Sequence, residues 1–146
     1  MGIRFKRTSG WATLCERLAL EAGWDDQDPL TWLAHLRKRL ENATRAYVSV
    51  QVHCQGWDQQ RLEEFAVREG LLAPQFAVNL WHRVIASPLQ LTSYFLGNRA
   101  FVALYEAERT RQGETFRLRD FSDRILEAGS IPLGELHALF AEARQP

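Results

Sequence analysis

Two stretches of this chain set polar and aromatic groups into otherwise apolar helical sequence. One is Arg45, Ser49 and His53-Cys54-Gln55-Gly56-Trp57; the other is Pro88-Leu-Gln90-Leu-Thr-Ser93-Tyr94-Phe-Leu-Gly97. On a helix, Arg45 and Ser49, eight and four residues before His53, lie close to its face. A histidine there can act as a general base or donate a hydrogen bond to a substrate oxygen. The alternative is a core-edge histidine satisfied by one backbone carbonyl. Gln90, Tyr94 and Gly97 also share a face. Gln90 and Tyr94 can together hold a polar substrate group, and Gly97 lets a ligand or a second backbone come close. The alternative is a buried tyrosine whose hydroxyl finds one partner. Arg83 can clamp a carboxylate bidentately or form a surface ion pair.

The elements that must position these groups read as helices throughout. Trp11, Leu14, Cys15, Leu18 and Ala22 recur at helical spacing before Gly23. Asp28-Pro29 supplies an N-cap and a first-turn proline. Leu33, Leu36, Leu40, Ala43, Tyr47, Val50 and Cys54 then alternate in steps of three and four. They form one continuous apolar stripe, of the kind that packs on a core, along a long helix near residues 29–54. Further helices are predicted from Asp58 to Gly70, over 74–86, over 89–111 and over 118–128. A seventh begins at Ser130 and Pro132 and carries Leu133, Leu136, Leu139 and Phe140. Trp57 and Trp81 read as core anchors. Glu63-Glu64 and Glu106-x-Glu108 read as solvated. The fold class is therefore all-α, a compact domain of about six to seven helices joined by short connections. Residues 1–8 read as a solvated N-terminal arm and 9–146 as a single domain.

Composition narrows the function classes. A chain of 146 residues can bury one substantial core. Eighteen basic and eighteen acidic residues cancel, which gives no electrostatic case for nucleic acid or an anionic membrane. No apolar run approaches a membrane span and no signal-peptide-like stretch opens the chain, so cytoplasmic residence is expected. Cys15 and Cys54 are then expected to be thiols. No paired Cys or His spacing suits a structural zinc, no cofactor is expected, and neither a nucleophile elbow nor a phosphate loop occurs.

The order of these segments resembles the C-terminal part of the domain-of-unknown-function 885 family, helical proteins regarded as zinc-dependent and peptidase-like. The resemblance covers about residues 9–140. Ser9-Gly10-Trp11-Ala12 resembles the family's Glu-Gly-Trp-Ala. Arg45 and His53-x-x-Gly56-Trp57 resemble its Arg-x-x-x-Asp-x-x-x-His-x-x-Gly-Trp. Arg83 and Pro88-x-Gln90-x-x-Ser93-Tyr94-x-x-Gly97 resemble its Pro-Gly-Gln-x-x-Ser-Tyr-Lys-x-Gly. Gly113, the Phe116–Phe121 run and Gly129-Ser-Ile-Pro132-Leu133 resemble its closing helices. The chain contains nothing like the family's His-Glu-x-x-Pro-Gly-His-His. Ser9, Ser49, Phe95 and Ser122 stand where the family has Glu, Asp, Lys and His. Zinc needs three or four ligands in one place. The resemblance thus implies a substrate-side set of Arg45, His53, Arg83, Gln90 and Tyr94 without its metal.

Two functions follow as expectations. One is a metal-independent pocket, with His53 and Tyr94 catalytic and Arg45, Arg83 and Gln90 binding substrate. It would bind a small carboxylate or carbonyl compound or perform acid–base chemistry on it. The other is a non-catalytic interaction module that forms a homodimer or pairs with a separate chain, as an accessory subunit or half of a split metalloenzyme.

Overall fold

A computed structural model describes residues 2–88 and 90–129, together with 131, 132, 134, 135, 138 and 140; side chains are described from residue 9 onward, Gln27 excepted. Among these residues the chain is all-helical, without strands. The helices are α1 (Gly2–Glu21), α2 (Pro29–Gln55), α3 (Gln59–Arg68), α4 (Pro74–Ala86), α5 (Gln90–Gln112) and α6 (Leu118–Glu127), with short 3-10 turns at Trp24–Gln27 and Gly113–Thr115. The first helix starts at Gly2 and so runs through the stretch read as an arm. The expected seventh helix, with Leu133, Leu136 and Leu139, falls largely outside the described residues.

Local chemistry accounts for the boundaries. The Asp28 carboxylate accepts from the Leu30 amide at 3.0 Å, and Pro29 occupies the first helical position where its missing N–H costs nothing. Gly56 closes α2 at φ 67°, a left-handed conformation that glycine adopts without strain. Asp58 then caps α3 by accepting from the Arg61 amide at 2.9 Å.

Two apolar clusters share α5. Toward its C-terminal end, Phe101, Leu104 and Tyr105 pack with Leu14 and Leu18 of α1, Phe121 and Ile125 of α6, and Phe140. Toward its N-terminal end, Leu91 packs with Val48 of α2, Leu62 and Ala66 of α3, and Ala77, Leu80 and Val84 of α4. Trp57 and Trp81 lie partly buried against this second cluster, as anchors do. The α1–α5 crossing is close because two glycines meet there. A Cβ built on Gly10 would stand 2.3 Å from the Gly97 carbonyl carbon. What approaches Gly97 is therefore the backbone of α1. Arg17 reinforces the packing of α1 on α5 with an ion pair at 2.6 Å to Glu106, and is itself held by Glu21 of its own helix, also at 2.6 Å.

Two expectations about burial fail. The stripe on α2 does not face a core: Leu33 is 61% exposed and Leu36 51%, and Tyr47, Val50 and Cys54 are exposed as well. The helix buries His35, Asn42, Thr44, Ala46, Val48 and Ser49 instead. The Gly10–Gly97 contact draws α1 onto α5, while α3 and α4 pack around Val48. Tyr47 stacks on Phe65 of α3, and Leu40 and Ala43 are partly covered beside α5, but no described helix lies over Leu33, Leu36 and Val50. Glu108, expected to be solvated, is only 3% exposed. Burial alone would raise its pKa, but hydrogen bonds from Arg111 and Gln112 outweigh that and hold its carboxyl below the usual range.

Candidate functional site

The five residues expected to carry function lie around the junction of α2, α4 and α5. His53, in the last turn of α2, places Nε2 3.0 Å from the Val84 carbonyl oxygen. A carbonyl only accepts, so Nε2 carries the proton, and in the neutral ring Nδ1 keeps the free lone pair. One turn earlier, the Ser49 hydroxyl donates to the Pro88 carbonyl at 2.7 Å. These two bonds tie α2 to the end of α4 and to the turn that starts α5. The Ser93 hydroxyl closes the same turn by donating to the Gln90 carbonyl at 2.6 Å. The Gln90 residue is itself exposed.

Arg45 is the electrostatic centre of the set. It is half-buried and paired with Glu41 one turn before it. Burial pushes the pKa of its guanidinium down; Glu41 opposes this, the positive charge of Arg83 adds to it, and Tyr94 opposes it more weakly. Arg45, Arg83 and Tyr94 thus share one neighbourhood, drawn from three helices.

Tyr94 also lines a cleft of about 350 Å³ between α1, α2 and α5. Its other walls include Leu36, Arg39, Leu40 and Asn42 of α2, and Phe95, Asn98 and Arg99 of α5. Neither His53, Arg45, Arg83 nor Gln90 is part of this lining. At its edge Asn42 is 4% exposed, and its Oδ1 has no hydrogen-bond partner. Sequence reasoning passed over Asn42, Arg39 and Arg99. Single polar residues on long helices usually face water, and nothing in their spacing marks a cleft.

A second buried polar group, His35, stands on the α1 side of α2. Neither ring nitrogen has a hydrogen-bond partner, and Nδ1 lies 3.8 Å from the Glu16 carboxylate. Burial pushes its pKa below the usual 6.5; Glu16 opposes this, and Arg39 and Arg17 add to it.

The donors needed for a metal do not converge: among the described residues no group of three His, Cys, Asp or Glu side chains could hold one. Cys15 and Cys54 are free thiols. Among the described residues, no helix is long and apolar enough to cross a membrane.

No curated protein and no solved structure matches the chain. A family model does match, over residues 4–139, nearly the whole sequence. The chain belongs to the family described as bacterial protein of unknown function, DUF885.

Proposed function

We propose that this protein is an interaction module whose α2 face receives a helix of a separate partner chain. The observation that carries this reading is the exposure of the α2 stripe. Leu33, Leu36, Leu40, Ala43, Tyr47, Val50 and Cys54 follow one another at steps of three and four, the 3.5-residue repeat of a coiled-coil seam. The seam runs for about 30 Å at 1.5 Å per residue. Leaving large apolar residues open along one line is unfavourable. Covering each half-exposed leucine would contribute about 1 kcal/mol or more.

Charge argues for the kind of partner. Arg37 and Arg39 flank the seam, and Arg99 of α5 lies beside its middle; none has an acidic partner among the described residues. A helix bearing its own apolar seam with Glu or Asp on both flanks would satisfy both features. A second copy of α2 would bring further arginines to the same surface. The acid–base reading of His53 and Tyr94 has less behind it, because His53 Nε2 is engaged by Val84 and the cleft at Tyr94 is walled by other residues.

The test uses the full chain and a synthetic helical peptide with leucines at steps of three and four and glutamates on the flanks. Fluorescence anisotropy should show binding that weakens as salt rises. Leu33→Glu together with Val50→Glu should reduce it more than about tenfold, the effect of losing two buried apolar contacts. A lysine-flanked peptide that binds equally well would refute the charge argument. A doubled mass by light scattering in the absence of peptide would make the occupant a second copy and refute the separate-partner reading.

A further inference from the structure

The geometry points to a small-ligand site in the cleft between α1, α2 and α5, taking a small organic carboxylate that also carries an O–H or N–H donor. The donor requirement comes from Asn42. A buried amide oxygen without a partner is destabilising by about 1 to 3 kcal/mol, and buried polar side chains are rarely left so. Asn42 Oδ1 is such an atom, and its residue lines the cleft. A group that donates a hydrogen bond from within the cleft would satisfy it.

The carboxylate requirement comes from Arg39 and Arg99, on opposite walls of the same cleft. Neither has an acidic partner among the described residues, and a planar guanidinium matches a carboxylate with two parallel bonds. Leu40 and Phe95 supply apolar wall in the same cleft. That wall suits a short hydrocarbon body and disfavours a bare inorganic anion. The volume of about 350 Å³ lies at the small end of ligand sites. Leu33 and Val50, at the exposed ends of the α2 seam, are not walls of this cleft, but Leu36, Leu40, Arg39 and Arg99 belong to both surfaces, so this ligand and a docked helix would compete for the middle of the seam.

Calorimetric titration of the full chain with 2-hydroxy-4-methylpentanoate tests the site. Binding should weaken about tenfold for 4-methylpentanoate, which lacks the hydroxyl donor, and by at least as much for the uncharged methyl ester. Asn42→Leu should abolish the preference for the hydroxy acid, and Arg39→Gln with Arg99→Gln should abolish the preference for the acid over its ester. Leu33→Glu with Val50→Glu should leave all three titrations unchanged, which separates failure of this site from failure of helix docking. Equal binding of the hydroxylated and unhydroxylated acids by the unaltered protein overturns the proposal, and that comparison needs no variant to fold. Absence of binding by all three compounds also overturns it, leaving solvent as the sole occupant of the cleft.

Discussion

The two longest helices use their sequences in opposite ways. α2 carries a clean apolar stripe and turns most of it outward, while burying a histidine, an asparagine, a threonine and a serine. α5 has no comparable stripe, yet it buries residues along its whole length, from Leu91 through Gly97 and Phe101 to Glu108. The difference comes from their neighbours. α5 is enclosed by α1 on one side and by α2 on another, so small, polar and aromatic residues all find partners there. α2 lies at the edge of the bundle, with its packed face toward α4 and α5. An apolar stripe shows that a helix face favours cover, and it does not show that the cover comes from the same chain.

That contrast can be tested by substitution. The largest effect is expected at the α1–α5 crossing. In Gly10→Ala the added methyl would meet the Gly97 backbone, which cannot rotate aside as a side chain can. A loss of about 3 kcal/mol in denaturant unfolding is expected. A loss below about 0.5 kcal/mol would show that the helices can separate there at little cost.

Next comes the polar face of α2. His35 holds its proton less tightly in the folded protein than at the usual 6.5, because burial disfavours the cation. The unfolded chain therefore binds more protons as pH falls. Stability should be full above the usual value and decline as pH drops below it toward the folded value. Thermal melts across this range should show that decline, and His35→Leu should flatten it. Parallel curves for the two proteins would remove His35 as the cause.

The smallest effect is expected on the open stripe. Leu33→Ala should change the stability of the isolated chain by less than about 0.5 kcal/mol, since the side chain is mostly in water already. A loss approaching the roughly 2 kcal/mol of a core leucine would mean that the stripe is covered within the chain.

Much of the fold was legible because its signals are local. Asp28-Pro29, Gly56, Asp58 and Pro74 mark helix ends by capping and dihedral preference, and they stand at the observed ends. Spacing also placed Arg45, Ser49 and His53 near one face, and the Ser49 and His53 bonds to the α4–α5 corner follow from it. The plainer alternative for His53, one backbone carbonyl, matches the bond to Val84. Glu108 was misread because its burial depends on how α5 packs against its neighbours, which no local pattern records.

The sequence by itself determined the helices, their ends and the family, since capping, periodicity and motif order are written along the chain. Tertiary structure alone decided which faces are covered. The glycine contact at Gly10 and Gly97 commits α1 to α5, and that leaves Leu33, Leu36 and Val50 of α2 open and the amide oxygen of Asn42 unpaired at the cleft. Burial is a relation between elements distant in sequence, so it follows from helix packing rather than from the period of any one helix.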